Sequence, residues 1–294
     1  MLTFYEFVSN HPTFKKFEVD ELLFTIYDCP IEGAPLDYWT KENYFAYIVS
    51  GSVVWKSREQ EVIAEAGDAV FVTKGPHRVY RAPHNDFCAL LIFIPDEFIR
   101  KVIQTHHINI KDGRSDRPAG PMSVISLDLG KLLSVYFMSV LNYFSQPAPP
   151  SKSLLKIRFE ELIVNILTGT ENRSLIAFFE DLCFDRKRSI KATMEANFAF
   201  NLKMEEFAQL CGRSVASFKR DFAKTYDISP GKWLKNRRVK YGKFLLETTD
   251  LNVNQIAVES GFENTSHFIK SFKETYKYPP KHFKKHLQEI KSPG

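Results

Sequence analysis

The sequence predicts a two-domain α+β protein: a β-rich N-terminal domain completed by a helical segment, then an all-α C-terminal domain built on a duplicated two-helix unit. Three features point there. The first third of the chain alternates short runs of β-branched and aromatic residues with glycine turns. From about residue 131, apolar residues recur at helical spacing. Near the C-terminus one phrase occurs twice, as "GRSVASFKRDFAKTYDISP" from Gly212 and "GFENTSHFIKSFKETYKYPP" from Gly261. The expected divisions are residues 1–180, with the β part at about 20–96 and the helical segment at about 131–180, and residues 186–290.

A length of 294 residues suits two domains. With 44% hydrophobic and 26% charged residues, the composition is that of an ordinary soluble protein. "MLTFYEFVSN" has neither a basic leader nor a long apolar run, and the most apolar helical stretch, Leu132 to Phe144, is too short and interrupted to span a bilayer. No membrane association is expected. Cys29, Cys88, Cys183 and Cys211 are far apart and form no CxxC pair, which argues against a zinc ribbon or a disulfide framework and suits a reducing cytoplasm; they read as small buried hydrophobes. The net charge of +5 hides an asymmetry: from Arg186 onward there are 22 Lys and Arg against 11 Asp and Glu, leaving 18 against 24 before that point. The C-terminal part is therefore +11 and the rest −6, so the former is a candidate binder of polyanions.

"YFAYIVSGSVVWKS" (Tyr44 to Ser57) reads as two strands joined at Ser50-Gly51 in a hairpin, and "EVIAEAGDAVFVTKG" (Glu61 to Gly75) repeats the pattern around Ala66-Gly67-Asp68. "HRVYRA" and "FCALLIFIP" continue it, and short strands at this spacing suggest a sandwich or barrel. Asp112 to Pro121 is a polar loop. Two helices follow, Lys131 to Phe144 and "KSLLKIRFEELIVNILTG", the second ending at Gly169. On the second, Leu155, Phe159, Leu162, Ile163 and Ile166 share one face, which either packs on the N-terminal domain or forms a dimer contact.

In the duplicated phrase, Phe218, Phe222, Thr225, Tyr226 and Pro230 recur fifty residues later as Phe268, Phe272, Thr275, Tyr276 and Pro280. Each copy has a short helix with an apolar pair, Phe207-Ala208 or Ile256-Ala257, then a turn glycine, Gly212 or Gly261. A capping residue follows, Ser214 or Asn264, and a second helix carrying inward aromatics. This is the helix-turn-helix pattern. The outward residues of the second helix are Ala216, Lys219, Arg220 and Ala223 in one copy, and Ser266, His267, Ile269, Lys270 and Lys273 in the other. Small residues let such a helix sit close to a groove, while Arg, Lys, Ser and His reach base edges or phosphates. Between the copies, "GKWLKNRRVKYGKFLLETTD" predicts a connecting helix of about fifteen residues, roughly 22 Å long. Its basic residues, Arg238 and Lys240 among them, would meet backbone phosphates.

Over about Ser189 to Lys285 the sequence resembles the AraC/XylS transcription regulators, most closely in "RRVKYGKFLLETTDLNVNQIAVESGFENTSHFIKSFKETYKYPPKHF". The resemblance implies a DNA-binding domain of two helix-turn-helix units joined by a long helix, with recognition helices at Ser214 to Tyr226 and Asn264 to Tyr276. It places Ala216, Lys219 and Arg220 where the first unit reads bases, and Ser266, His267 and Lys270 where the second does. Arg238 resembles a position in the connecting helix; alternatively it makes a salt bridge within the domain. Double-stranded DNA and RNA polymerase are the implied partners, and a bacterial cytoplasm with its nucleoid the implied location.

"AGDAVFVTKGPHRV" resembles the cupin-like barrels that often precede this domain. A metal-binding cupin needs several His and a carboxylate; here Tyr38 to Ser57 has no His, and His77 is one position off the second motif. No metal or cofactor is expected. His77 and His84 read as surface or hydrogen-bonded loop histidines, and the adjacent His106-His107 share no face. The expected protein is a dimeric activator whose N-terminal domain takes a small-molecule or protein effector. The competing expectation is a cupin-type enzyme fused to a DNA-targeting module; it lacks GxGxxG, a P-loop or a nucleophile motif.

Overall fold

A computed structural model describes residues 2–28, 36–57, 60–81, 86–108, 123–183 and 189–284. Cys29, His84, the Asp112 to Pro121 loop and the boundary at Arg186 lie outside the described residues. The chain divides into two compact units, Met1–Arg186 and Lys187–Gly294.

The first unit runs β1 (Leu2–Thr3), α1 (Phe4–Asn10), β2 (Lys16–Val19), β3 (Leu22–Asp28), β4 (Leu36–Thr40), β5 (Asn43–Ser50), β6 (Ser52–Lys56), β7 (Glu61–Glu65), β8 (Ala69–Val72), β9 (Gly75–Arg81), β10 (Cys88–Ile94), α2 (Asp96–Thr105), β11 (Val124–Ser126), α3 (Gly130–Tyr143), α4 (Lys152–Thr168) and α5 (Arg173–Cys183). The strands form a five-stranded sheet, β1-β4-β9-β6-β7, and a six-stranded sheet, β11-β8-β5-β10-β3-β2. The cupin-like β fold is thus realised as two sheets, not as one closed barrel. Side-chain alternation along the larger sheet explains its layers. Tyr44, Ala46 and Ile48 of β5, with Ala89, Leu91 and Phe93 of β10, meet Tyr38, Val53, Trp55, Val62 and Ala64 of the smaller sheet. Their neighbours Phe45, Tyr47, Leu90, Ile92 and Ile94 face the opposite way, into the core shared with α2 to α5. A sheet apolar on both faces is why "CALLIFI" reads as an unbroken run.

The two expected hairpins are not hairpins. β5 and β6 lie in different sheets, as do β7 and β8. At Gly51 (φ +77°) a side chain would come within 3.1 Å of the Asp86 carbonyl oxygen and the Phe87 Cα, so the turn is wedged against a third segment and delivers the chain to the other sheet. Gly67 (φ +96°) makes the second corner, where its N–H donates to Ile48.

Between the sheets, Trp55 Nε1 donates to the Tyr38 hydroxyl at 2.9 Å, and the Tyr38 and Tyr44 hydroxyls are 2.5 Å apart. His77 is a buried strand residue, not a surface loop one: Nε2 donates to the Thr73 carbonyl at 2.6 Å and the ring stacks on Tyr38. Burial lowers its pKa to about 4, so the imidazole is neutral at physiological pH. A cavity of about 40 Å³ remains there, lined in part by Phe4, Tyr27, Tyr44, Trp55 and Phe87. Of the cysteines, Cys211 is buried, whereas Cys88 and Cys183 are only half-buried.

α4 starts at Ser151, whose side chain accepts from Leu154 N–H, and stops at Gly169. Leu155, Phe159, Leu162, Ile163 and Ile166 are all buried in the core of the same chain, with Phe159 against Phe24 of β3. This corrects their assignment as dimer contacts: a side chain covered by its own sheet offers nothing to a second copy. The exposed apolar residues of this layer are instead Leu132, Val135 and Met138 on α3 and Leu154 and Ile157 on α4, two helices that pack together.

The second unit is all-helical: α6 (Ile190–Asn197), α7 (Met204–Leu210), α8 (Val215–Tyr226), α9 (Pro230–Thr248), α10 (Val253–Glu259) and α11 (Thr265–Tyr276). Among the described residues, no helix is long and apolar enough to cross a membrane.

Candidate nucleic-acid interface

The two copies of the repeated phrase fold into α7-turn-α8 and α10-turn-α11. In each, the apolar pair is buried: Phe207-Ala208 and Ile256-Ala257. Gly212 (φ +62°) and Gly261 (φ +86°) turn the chain. The Ser214 side chain accepts from Ser217 N–H at 3.3 Å and Asn264 from His267 N–H at 2.8 Å, so these two residues act on the fold as N-caps. Phe218 and Phe222, like Phe268 and Phe272, are fully buried one helical turn apart. The inward spacing fixes which residues face out.

On α8, Ala216, Lys219, Arg220 and Ala223 are exposed. The Arg220 guanidinium donates to Ser217 Oγ at 3.2 Å and lies 3.5 Å from Asp221, while 65% of the side chain stays in solvent. Asp221 is also held at 3.3 Å by Arg213, which donates a further bond to the Cys211 carbonyl. The turn and the outward face of α8 are tied together by this pair of arginines. On α11, Ser266, His267, Ile269, Lys270 and Lys273 are exposed, with the His267 ring edge-on to Phe262 at 5.3 Å.

α9 has 19 residues, about 28 Å at 1.5 Å per residue, so it is longer than expected. Pro230 sits in its first turn, Ser229 caps it, and the helix continues through Leu245 and Leu246 to Thr248. Its first turns serve the first helix-turn-helix, with Trp233 against Phe222 and Tyr226. Its later residues Val239, Leu245 and Leu246 join Ile256, Phe268 and Phe272 in the core of the second. At Gly242 the fit is tightest: a Cβ there would lie 2.5 Å from the Phe268 ring.

Lys240 is exposed on α9, but Arg238 is not a surface cation. It donates to the carbonyls of Phe198 at 2.7 Å and Phe200 at 2.8 Å, and burial lowers its pKa to about 10. Neither a phosphate contact nor a salt bridge within the domain describes it; it closes the chain after α6. Arg237 bonds Glu195 at 2.9 Å and lies over the Phe198 ring. Lys243 pairs with Glu247 and approaches Tyr276 and Phe283. One participant escaped the sequence reading: Glu274 on α11 accepts from Lys235 of α9 at 2.7 Å. The signal was present, because Glu274 follows Lys270 by four residues and so shares its stripe. Among the described residues, no three His, Cys, Asp or Glu side chains converge as metal ligands would.

Comparisons with known proteins agree with this division. Residues 43–178 match the family model described as "ExsA N-terminal regulatory domain" and residues 207–286 the "Helix-turn-helix domain". The virulence regulon transcriptional activator VirF of Yersinia enterocolitica is 24% identical over 234 residues, 79% of this chain and 85% of that protein. The HTH-type transcriptional regulator ExsA of Pseudomonas aeruginosa is 23% identical over 241 residues, 82% of this chain and 85% of its own. A solved structure of ToxT from Vibrio cholerae, 13% identical, aligns over 90% of this chain and 98% of that one with a TM-score of 0.40. An N-terminal regulatory-domain match preceding two capped helix-turn-helix units on one connecting helix is the arrangement that the resemblance to the AraC/XylS transcription regulators implies.

Proposed function

We propose that the protein is a transcription activator that reads double-stranded DNA with α8 and α11, works in the bacterial nucleoid together with RNA polymerase, and is controlled through its first unit. The observation that carries this is the pair of recognition helices whose aromatic sides are buried and whose polar, largely cationic sides are exposed at matched positions. Ala216, Lys219 and Arg220 read bases in one half-site; Ser266, His267 and Lys270 face the other, with Lys273 and Lys240 on phosphates. Arg220→Ala should weaken binding to a selected site by about 1–3 kcal/mol and relax preference in that half-site. Lys240→Ala should weaken all duplexes alike and flatten the salt dependence. Site selection from random DNA, followed by binding measurements at several salt concentrations, checks both; unchanged site preference in Arg220→Ala rejects the placement of α8.

The exposed α3–α4 face, with Leu132, Val135, Met138 and Ile157 each more than half exposed, suits a second copy of the chain, since one apolar patch pairs with itself across a two-fold axis. Val135→Glu should shift the protein to monomer in sedimentation; an unchanged dimer sinks this surface. The interior cavity of about 40 Å³ is far below the size of ordinary ligand pockets. An open polar cleft lined by Tyr5, Ser9, Asn10, Lys16 and Glu18 on the surface of the first unit is a candidate site for the effector, small molecule or protein.

A further inference from the structure

Among the positions where the two recognition helices differ in charge, one carries opposite signs and is not required by the helix-turn-helix scaffold. Aligned residue by residue, Lys224 of α8 corresponds to Glu274 of α11. Lys224 is exposed and follows Arg220 by four residues, extending a cationic face. Glu274 is also exposed, and it follows Lys270 by four residues and His267 by seven, the spacing that keeps residues on one stripe. A carboxylate therefore stands at the C-terminal end of the stripe assigned to DNA. Its partner is Lys235 of the connecting helix, at 2.7 Å, with both side chains more than two-fifths in solvent. The Lys235 hydrogen bond and charge, with smaller contributions from Lys270 and His267, hold the Glu274 carboxyl below the usual carboxylate range, so it is ionised wherever DNA would be bound.

We infer that Glu274 restrains non-specific DNA binding by the second helix-turn-helix unit, occupying Lys235 and setting a negative charge opposite the phosphate backbone. A phosphate that approaches α11 must replace Glu274 as the partner of Lys235 and must lie near a like charge. Both costs fall on every duplex equally, because they concern the backbone alone. Base contacts by the recognition helices offset them only at a matching site. The carboxylate thus lowers affinity for all duplexes alike and leaves their ratio unchanged, so that a duplex without matching base contacts is held only weakly. The first unit has no such acid at the matched position.

This inference rests on the proposed placement of α11 against DNA, and the experiment separates the two. Affinity of the full-length protein is measured for a selected site and for an unrelated duplex over about a fourfold range of salt. Glu274→Gln is expected to tighten binding to the unrelated duplex several-fold. It should also steepen the logarithmic salt slope by about one released ion, equal to roughly a threefold larger loss of affinity across that range. The selected site should gain no more than the unrelated one, and the double variant Lys235→Gln/Glu274→Gln should return the slope to that of the parent. Lys270→Ala serves as the control for placement. If Lys270→Ala weakens binding but Glu274→Gln leaves affinity and slope unchanged, the restraint is wrong. If Glu274→Gln changes the preferred base at one position with no change of slope, the carboxylate reads a base and the proposal is overturned. If Lys270→Ala also has no effect, α11 does not meet DNA and the underlying reading fails.

Discussion

The two helix-turn-helix units share a sequence pattern and differ in how tightly the surrounding structure grips them. In the second, the turn glycine is trapped: a Cβ on Gly261 would lie 2.7 Å from the Ala199 carbonyl oxygen. Phe268 presses on the bare backbone of Gly242, and Lys284 donates to the Thr249 and Leu251 carbonyls at the end of the connecting helix. In the first, no atom lies within 4 Å of a Cβ placed on Gly212, and the turn is held by Arg213 with Asp221 and Cys211. A duplicated motif therefore does not imply duplicated constraints. The second copy is built into the domain, and the first is fastened to it at the edge of α9.

Substitutions can break or sharpen this contrast. The largest effect is expected at Gly261→Ala, where a left-handed backbone and a collision with the Ala199 backbone add to about 3 kcal/mol of lost stability. Arg238→Ala should cost about 2 kcal/mol, since it strands two carbonyls that it now satisfies. A loss of DNA affinity with stability intact would instead return Arg238 to the phosphate contacts. Gly212→Ala, in open space, should cost only the backbone strain of about 1 kcal/mol. Urea unfolding of each variant, followed by helical circular dichroism, gives the order. Equal losses at Gly212 and Gly261 would erase the difference between the units.

Where the sequence was legible, a local rule decided the outcome. α8 and α11 begin and end where a cap residue and paired aromatics say they must. The α4 stripe was legible as a face, but not what it faces, because period alone does not distinguish a neighbouring sheet from a second chain. The corners at Gly51 and Gly67 misled for a related reason: run, turn, run describes a hairpin and a change of sheet equally well, and at Gly51 the segment that wedges the turn, Asp86 and Phe87, is distant in sequence. α2 was overlooked although Pro95, the acidic Asp96 and Glu97, and buried Ile99, Val102 and Ile103 mark it. At the interface, outward residues were legible from the inward aromatics. The fate of the connecting-helix cations was not, since Arg238 is engaged by carbonyls forty and thirty-eight residues away.

The unbroken run of α9 has an implication for how such a reader can evolve. A continuous helix turns by about 100° for each residue added or removed. Losing one residue from its middle would therefore swing one helix-turn-helix unit by more than a quarter-circle relative to the other, out of phase with the second groove if both helices read DNA as proposed. Distance and angle between the units are locked to each other, and new targets are reached by repainting the outer side chains, not by adjusting the axle.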